Sequence, residues 1–444
     1  MSPNIPQNRP SNPVRIVTAA SLFDGHDAAI NIMRRIIQSA GVEVIHLGHN
    51  RSVHEIVQCA IQEDAQAVAI TSYQGGHVEY FKYMVDLIRE SGQRVEVFGG
   101  GGGTILPSEI EELHAYGVTR LYSPDDGREM GLQGMINHLV ASSDFEKRSA
   151  ALSEEQWERL ASGDDAALAA AISVVENHPA LQQSIMQRAA AILGDRRVPV
   201  IGITGTGGAG KSSLVDEIIQ RFLRDPARAE ERIAVVSVDP TRRRSGGALL
   251  GDRIRMNSVD SPRVYMRSMA TRQAHQSLSK SVTDAVELCK AAGCSLVILE
   301  SSGIGQSDSG IVDHADLSLY VMTSEYGAAT QLEKIDMLDF ADMIAINKFD
   351  KRGAEDALRD VRKQVQRNRE LWHDDPETLP VFGTMASRFA DDGVNALYLA
   401  LLDRLATKAG VVKESRLQRP ESKHSTDRSP MIAPGRERYL GDIA

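Results

Sequence analysis

A glycine-rich stretch near the middle of the chain has the residue types that bind the phosphates of a nucleotide. Residues 205–212 read Gly-Thr-Gly-Gly-Ala-Gly-Lys-Ser, which is the complete Walker A pattern. Glycines let backbone N–H groups converge on phosphate oxygens, and the N-terminus of the following helix adds a favourable dipole. We expect Lys211 to reach the β- and γ-phosphates and Ser212 to ligate Mg²⁺. The residues assigned to the nucleotide in this stretch are Gly207, Gly208, Ala209, Gly210, Lys211, Ser212 and Ser213.

A second motif predicts which base the nucleotide carries. Asn347, Lys348, Phe349 and Asp350 follow the apolar stretch 343–346, which is predicted to be a strand. The Asp350 carboxylate can accept hydrogen bonds from N1 and the exocyclic N2 of guanine, and adenine has no donors at those positions. Together with the phosphate-binding stretch, this motif predicts a GTPase that binds GTP and GDP. Residues 384–387 are predicted to donate backbone hydrogen bonds to guanine O6.

Acidic residues at or after predicted strand ends are candidates for a Mg²⁺ site, namely Asp239, Asp252 and Glu300. Mg²⁺ takes few direct protein ligands and keeps several waters, so one or two of these would bind directly and the others through water. A helix cap or a solvated charge is the alternative, above all for Asp252. The loop 303–306 is interpreted as a switch near the γ-phosphate. Water would be the nucleophile of hydrolysis. The residues assigned to catalysis are Lys211, Glu300 and Gln306.

A histidine near the N-terminus is a candidate metal ligand. His26 lies just past the first predicted strand, where parallel sheets bind their ligands. Asp24 is two residues away and could bond the other ring nitrogen, which would fix the tautomer of the imidazole. Ser72 and the pair Gly99 and Gly100 follow or end neighbouring strands and would line a groove for a bulky group. The alternative for His26 is an ordinary surface residue.

The elements that would position these residues alternate between strand-like and helix-like segments. This alternation predicts an α/β protein with two doubly wound parallel-sheet domains, one Rossmann-like and one a P-loop GTPase, joined by a helical linker. The predicted organisation is a disordered N-terminus at 1–13, the first α/β domain at 14–141, the helical linker at 142–197, the GTPase domain at 198–410 and a second linker at 411–444.

Composition excludes several classes of function. The formal net charge of -10 argues against nonspecific nucleic-acid binding, and the basic run 242–244 is interpreted as a solvated loop. Cys59, Cys289 and Cys294 are too few and too irregularly spaced for a disulfide framework or a zinc site. The N-terminus lacks a signal-peptide pattern, and no apolar run is long enough to span a bilayer. We therefore expect a cytoplasmic protein with no nucleic-acid or membrane partner.

Three stretches of the predicted GTPase domain carry a family resemblance. Residues 238–240, 246–256 and 300–307 resemble the GTPases that chaperone methylmalonyl-CoA mutase, which have E-T-x-G-x-G-Q-S where this chain has E-S-S-G-I-G-Q-S. The resemblance covers about residues 198–408. It implies that Asp252 belongs to the Mg²⁺ site, that Arg255 lies near the nucleotide, and that the GTPase gates cobalamin loading into a mutase.

Residues 14–140 resemble cobalamin-binding domains with D-x-H-x-x-G, S-x-L and G-G motifs. In that family the histidine replaces the cofactor's own benzimidazole as the lower axial ligand of cobalt. The resemblance implies this role for His26, with Asp24 as its partner. The serine and glycines of the family's motifs correspond to Ser72, Gly99 and Gly100.

Two positions depart from the cobalamin-binding motifs. Ala29 stands where the motif has glycine, and Gln74 stands where it has leucine. Alanine is small enough to preserve the groove for the nucleotide tail, whereas Gln74 could alter contacts to that tail.

The order of the predicted domains resembles the N-terminal part of the fused isobutyryl-CoA mutase family. The resemblance implies an adenosylcobalamin-dependent radical mutase that interconverts isobutyryl-CoA and n-butyryl-CoA, with the GTPase controlling cofactor loading and holoenzyme assembly. It also implies as partners a substrate-binding acyl-CoA mutase barrel, an adenosyltransferase that donates the cofactor, and a second copy of the chain in a homodimer. We expect no barrel within these residues, since a barrel needs on the order of 250 residues. A freestanding GTPase metallochaperone for a separate mutase and a cobalamin sensor remain alternatives.

Overall fold

The chain divides into two compact units. The computed structural model describes residues 7–148, 151–242, 244–272, 280–301, 308–327, 332–333, 335–410 and 414–426. The first unit comprises Met1–Gly194 and Val236–Gly293, and the second comprises Asp195–Val235 and Cys294–Ala444.

The described residues form strands and helices that alternate along much of the chain. The strands are β1 (Arg15–Ser21), β2 (Glu43–Arg51), β3 (Ala67–Thr71), β4 (Glu96–Gly100), β5 (Arg120–Tyr122), β6 (Val200–Gly205), β7 (Ile233–Pro240), β8 (Ala248–Leu250), β9 (Val264–Thr271), β10 (Leu296–Glu300), β11 (Leu317–Met322), β12 (Met343–Asn347) and β13 (Val381–Thr384). The helices are α1 (Asp27–Ser39), α2 (Val53–Gln62), α3 (His77–Glu90), α4 (Pro107–Tyr116), α5 (Pro124–Glu129), α6 (Gly131–Ser143), α7 (Glu154–Ala161), α8 (Asp165–Asn177), α9 (Pro179–Leu193), α10 (Lys211–Arg224), α11 (Lys280–Ala291), α12 (Met337–Phe340), α13 (Ala354–Asn368) and α14 (Asp392–Ala409).

The first unit is built on a parallel sheet. Within the described ranges its strand order is β5-β4-β3-β1-β2-β8. The central strand β1 is buried along its whole length, and its side chains alternate between two apolar clusters, with Val17 in one and Ile16 in the other. A parallel sheet that is buried on both faces needs covering elements on both sides, as the alternating sequence predicts. The predicted doubly wound α/β class is confirmed for this unit.

A helical region follows the first five strands, as the sequence predicts. Helices α7, α8 and α9 occupy it, and the side chains of α8 are buried from Ala166 to Val175. Local capping explains where two of these helices begin. Ser153 forms a capping box with Gln156 at the start of α7, and the Asp164 side chain accepts a hydrogen bond from the N–H of Ala167 at the start of α8.

The short strand β8 joins the sheet of the first unit, although the sequence assigns it to the GTPase domain. Residues 248–250 pair in parallel with Glu43, Val44 and Ile45 of β2. Arg253, shortly after this strand, is buried, and its guanidinium lies 3.3 Å from the Glu63 carboxylate. Backbone pairing and a buried ion pair therefore place this segment with the sheet of the first unit, which local sequence patterns do not reveal. The predicted domain bounds stay predictions.

The second unit contains a second parallel sheet. Five of its strands lie in the order β13-β12-β11-β6-β10 in the described residues, and neighbouring strands pair in parallel. Each of these strands is fully buried. The carboxyl ends of β6, β10 and β12 carry Gly205, Glu300 and Asn347. The predicted P-loop α/β class is confirmed, and the predicted site residues Glu300 and Asn347 lie at the same edge of this sheet as the start of the phosphate-binding stretch.

Candidate functional site

Asp24 and His26 form a hydrogen-bonded pair after the carboxyl end of β1. The Asp24 carboxylate accepts hydrogen bonds from the backbone N–H of His26 at 2.9 Å and of Tyr73 at 2.7 Å, and it lies 2.8 Å from His26 Nδ1. Burial opposes the charge of Asp24, but these hydrogen bonds outweigh it and hold the pKa of the carboxyl below its ordinary value. An ionised carboxylate can only accept hydrogen bonds. Nδ1 of His26 is therefore the donor, which leaves Nε2 as the nitrogen that can bind a metal.

The His26 side chain is 75% exposed, so its second ring nitrogen is accessible from solvent. A neutral imidazole whose tautomer is fixed by a carboxylate is a well-oriented metal ligand. The described residues contain no group of three or more His, Cys, Asp or Glu side chains arranged to hold a metal ion. The Asp24–His26 pair can therefore offer one imidazole nitrogen to a metal centre.

The segment before His26 is strained. Phe23 has a φ of 62°, and its side chain is 83% exposed. Its backbone N–H donates to Asn50 Oδ1 at 2.9 Å, which helps to hold this conformation. A left-handed φ is costly for a bulky residue that is not glycine, and such strain concentrates at functional loops.

An apolar cavity of about 220 Å³ lies at the same end of the sheet. Tyr73, whose ring centroid is 5.4 Å from that of His26, lines it together with Met33, Phe98 and Leu132. The backbone of residues 99–102 forms part of the wall. The cavity can therefore accept a flat apolar group next to the exposed histidine.

Gly99 and Gly100, two of the predicted site residues, line this cavity, but packing within the sheet also accounts for them. A Cβ on Gly99 would lie 2.4 Å from the ring of Phe81, which belongs to the core on the other face. A Cβ on Gly100 would lie 3.2 Å from the carbonyl oxygen of Tyr122. Glycine at position 99 is thus required by the core, whether or not a ligand binds.

Thr71 is a cavity residue that the sequence analysis misses. It is 3% exposed and lines the cavity, and its hydroxyl makes no hydrogen bond with the described residues. The hydroxyl of Ser72, the predicted residue, is buried and accepts a hydrogen bond from Ser21 at 2.9 Å. Side chains alternate between the two faces of a strand. Ala69 and Thr71 therefore lie on the same face of β3, and Ser72 does not share it. This period of two along β3 is the sequence signal that identifies Thr71.

The phosphate-binding stretch connects β6 to α10, as predicted. Gly208 and Gly210 have φ values of 75° and 85°, which residues with a side chain rarely adopt. Lys211 Nζ donates to the carbonyl oxygens of Gly205 at 3.1 Å and Thr206 at 3.4 Å. The loop therefore presents backbone N–H groups, a helix N-terminus and a held cation, the arrangement that binds phosphate.

Ser212 and Glu300 lie together in the second unit. The Ser212 hydroxyl donates to the Glu300 carboxylate at 2.9 Å, and both residues are buried. Next to them, the Ser301 hydroxyl donates to Thr204 Oγ1 at 2.8 Å. Two oxygen donors at the N-terminus of α10 suit a hard cation such as Mg²⁺. Gln306 and the predicted switch at 303–306 lie outside the described residues.

Asp239 and Asp252 belong to the first unit. Asp239 accepts a hydrogen bond from the N–H of Gly251 at 3.2 Å. Asp252 accepts one from the Ser237 hydroxyl at 2.6 Å and lies 3.5 Å from the guanidinium of Arg255, which is 64% exposed. Their predicted part in a Mg²⁺ site and the predicted proximity of Arg255 to a nucleotide stay predictions.

Asn347 connects the base motif to the phosphate-binding stretch. Its Nδ2 donates to the carbonyl oxygen of Ala209 at 2.8 Å, and its Oδ1 accepts from the N–H of Ala386 at 3.1 Å. Lys348 Nζ donates to the carbonyl oxygen of Gly208 at 2.8 Å. Asp350 lines an open cleft of about 860 Å³. The motif therefore ties the phosphate loop to residues 384–387.

Comparison with known proteins matches two regions of the chain to family models. Residues 168–429 match the model described as methylmalonyl Co-A mutase-associated GTPase MeaB, and residues 14–125 match the B12 binding domain. None of the described helices is long and apolar enough to cross a membrane.

The chain is also similar over nearly its whole length to curated proteins. It is 57% identical over 446 residues to the fused isobutyryl-CoA mutase of Cupriavidus metallidurans, covering 100% of this chain and 40% of that protein. The fused isobutyryl-CoA mutase of Geobacillus kaustophilus is 53% identical over 446 residues, covering 98% of this chain and 40% of that protein. The chain therefore spans about 40% of the length of these relatives. The predicted resemblance to part of this fused family is confirmed.

Proposed function

Because the chain belongs to the family of methylmalonyl-CoA mutase-associated GTPases, we propose that its second unit binds and hydrolyses GTP and that its first unit binds adenosylcobalamin. Joined to a substrate-binding barrel, the two units form the cofactor-binding and chaperone part of a mutase that interconverts isobutyryl-CoA and n-butyryl-CoA. GTP hydrolysis then gates cobalamin loading and holoenzyme assembly. The similarity to the fused mutases supports this proposal. An adenosyltransferase as cofactor donor and a homodimer stay predictions.

The contacts around Asn347 carry the GTPase part of the proposal. One amide side chain bonds both the phosphate-binding stretch and the loop after β13, so the base and phosphate subsites are built as one unit. Asp350 selects guanine through its N1 and N2 donors. Lys211 stabilises the charge of the transferred phosphoryl group, and Ser212 with Glu300 holds Mg²⁺. Gln306 and Glu300 are proposed to act on the attacking water.

The Asp24–His26 pair carries the cobalamin part. Asp24 bonds Nδ1 of the exposed His26 side chain, so that Nε2 would be the nitrogen that holds the cobalt of a bound cobalamin. The apolar cavity with its buried Thr71 hydroxyl fits the displaced benzimidazole tail, which is flat and carries one acceptor nitrogen. When bound, the cofactor supplies radical chemistry from its cobalt–carbon bond. His26 would supply the nitrogen that holds the cobalt, and the cavity residues would hold the tail out of water.

Absorption spectroscopy of the bound cofactor tests the cobalamin site. We expect the wild-type protein to bind adenosylcobalamin with the benzimidazole displaced and His26 in its place. His26→Ala should remove the spectral signature of nitrogen ligation, whereas His49→Ala, an exposed histidine of the same unit, should leave it intact. An unchanged spectrum in the His26 variant would contradict the axial role.

GTP hydrolysis measured as phosphate release tests the second unit. Lys211→Ala should lower turnover about 100-fold or more, because a preorganised charge at the transition state is lost. Lys408→Ala, which removes a surface ion pair with Asp342, is the matched control and should leave turnover unchanged. Equal rates for the two variants would contradict the proposed phosphate site.

A further inference from the structure

The chain after α14 returns to the edge of the second sheet. The N–H of Gly383 in β13 donates to the carbonyl oxygen of Lys423 at 3.1 Å, and the N–H of Ser425 donates to the carbonyl oxygen of Gly383 at 3.0 Å. These two bonds make a parallel bridge between Gly383 and His424. Lys423 Nζ adds a hydrogen bond to the carbonyl oxygen of Thr378 at 2.8 Å. We call residues 422–426 the C-terminal strap.

The strap contacts the guanine motif through an aromatic pair. The ring centroids of His424 and Phe349 lie 5.7 Å apart at an interplanar angle of 43°. Both side chains pack over bare backbone, since a Cβ on Gly383 would lie 2.5 Å from the Phe349 ring and 2.9 Å from His424 Cβ. The N–H of Phe349 also donates to the carbonyl oxygen of Thr384 at 3.0 Å. His424 therefore buttresses the residue that directly precedes Asp350.

Residues 347–350 and 384–387, the two segments predicted to contact the base, are called the first and second base loops. The strap also contacts the second base loop through Asp391. This buried carboxylate accepts hydrogen bonds from the N–H of Met385 at 3.1 Å and of Val394 at 2.9 Å. The Ser425 hydroxyl donates to the same oxygen at 2.9 Å. Asp391 thus joins the loop after β13, the start of α14 and the strap at one point. Removing the Ser425 hydroxyl would leave this carboxylate with one donor fewer in a buried place.

Both base loops and the strap line one cleft. Asp350, Ser387 and the strap residues His424, Ser425 and Thr426 face the same space of about 860 Å³. A guanine held by Asp350 and the backbone near Ser387 would occupy this cleft. Such a base would have the strap as one of its walls.

We propose that the C-terminal strap is part of the guanine subsite, with His424 and Ser425 as positioning residues for the two base loops. This inference rests on the proposed GTPase function. Because linkage between two equilibria is reciprocal, nucleotide binding stabilises the docked strap, and a displaced strap weakens nucleotide binding.

Equilibrium titration with fluorescent GDP tests the positioning roles. His424→Ala and Ser425→Ala should each raise the Kd for GDP about threefold to tenfold, the effect expected for losing one aromatic contact or one hydrogen bond. The ratio of ADP to GDP dissociation constants should fall in both, because loosened base loops discriminate less. Arg419 precedes the strap and forms an exposed ion pair with Asp403 of α14. Arg419→Ala should change neither the Kd for GDP nor the ratio of ADP to GDP dissociation constants. GDP dissociation constants within twofold of wild type in both strap variants would overturn the inference.

Hydrogen–deuterium exchange tests the reciprocal effect without any substitution. Peptides that cover residues 420–426 should exchange more slowly after GDP is added to the wild-type protein, and unchanged exchange would overturn the coupling. If the wild-type protein does not bind GDP at all, the proposed GTPase function itself is refuted. A wild-type protein that binds GDP while the strap variants match it would instead refute the strap alone.

Discussion

Substitution of Thr71 by valine should stabilise the ligand-free protein and weaken cobalamin binding. The Thr71 hydroxyl is buried and makes no hydrogen bond with the described residues, so folding removes it from water without compensation. Mutational data put this cost at about 1–3 kcal/mol. Valine has nearly the same shape and no group to desolvate. The ligand-free variant should therefore gain about 1 kcal/mol or more of unfolding free energy.

The same hydroxyl should contribute to affinity once a ligand fills the cavity. A benzimidazole held in this cavity would carry one acceptor nitrogen, and Thr71, which lines the cavity, has a hydroxyl that would serve as its donor. The Thr71 hydroxyl is already removed from water in the ligand-free protein, so binding does not desolvate it again. Losing its hydrogen bond to the ligand therefore corresponds to about 1–2 kcal/mol of binding free energy. At about 1.4 kcal/mol per factor of ten, Thr71→Val should raise the Kd for cobalamin about fivefold to thirtyfold.

Two assays and a matched variant check this reasoning. Thermal unfolding should show a midpoint about 2–4 °C higher for Thr71→Val, the shift expected for 1 kcal/mol in a unit of about 250 residues. Thr18 on β1 is equally buried, but its hydroxyl lies 3.0 Å from Nδ1 of His46. Thr18→Val should therefore destabilise the protein, because it leaves the imidazole nitrogen unpaired.

Cobinamide, which lacks the nucleotide tail, separates tail recognition from general damage. Its affinity should be the same for wild type and Thr71→Val, since the tail cavity is not used. Equal losses of affinity for cobalamin and cobinamide would refute a tail contact. A lower unfolding midpoint for Thr71→Val would refute the uncompensated hydroxyl.

Three further outcomes follow from buried and base-reading charges. Burial opposes the charge of Asp64, but a neighbouring lysine and arginine lower its pKa to about 2. The stability that the charged carboxylate contributes is therefore complete above about pH 4 and is lost as pH falls through about 2. In urea unfolding, Asp64→Asn should be less stable than wild type by about 2 kcal/mol at pH 7, and the difference should vanish near pH 2. Asp350→Asn should weaken GDP binding about 100-fold and favour xanthosine diphosphate, whose second carbonyl accepts from the new amide, in competition titrations. Arg253→Met leaves the buried Glu63 carboxylate short of a partner and should cost about 3–5 kcal/mol in urea unfolding, whereas Arg255→Met, at a largely exposed position, should cost little.

Local patterns were sufficient to predict the two parallel sheets and the helices between them. Strands such as β3 and β12 are short apolar runs bounded by turn residues, and the phosphate loop has a spacing set by the size of a phosphate group. The Asp24–His26 pair lies two residues apart, so its contact was also accessible from the sequence. In each case the physical cause acts over a few residues.

The sequence alone was sufficient to predict the candidate chemistry: the phosphate-binding stretch at 205–212, the predicted guanine motif that ends at Asp350, and the imidazole at His26 with its carboxylate partner. Which neighbours surround these residues depends on the packing of the whole fold. It made Thr71 part of the cavity wall, paired 248–250 with β2, and placed His424 against Phe349. These contacts join residues far apart in the chain. They are decided by which surfaces can be buried together, and no local pattern of residues records that choice.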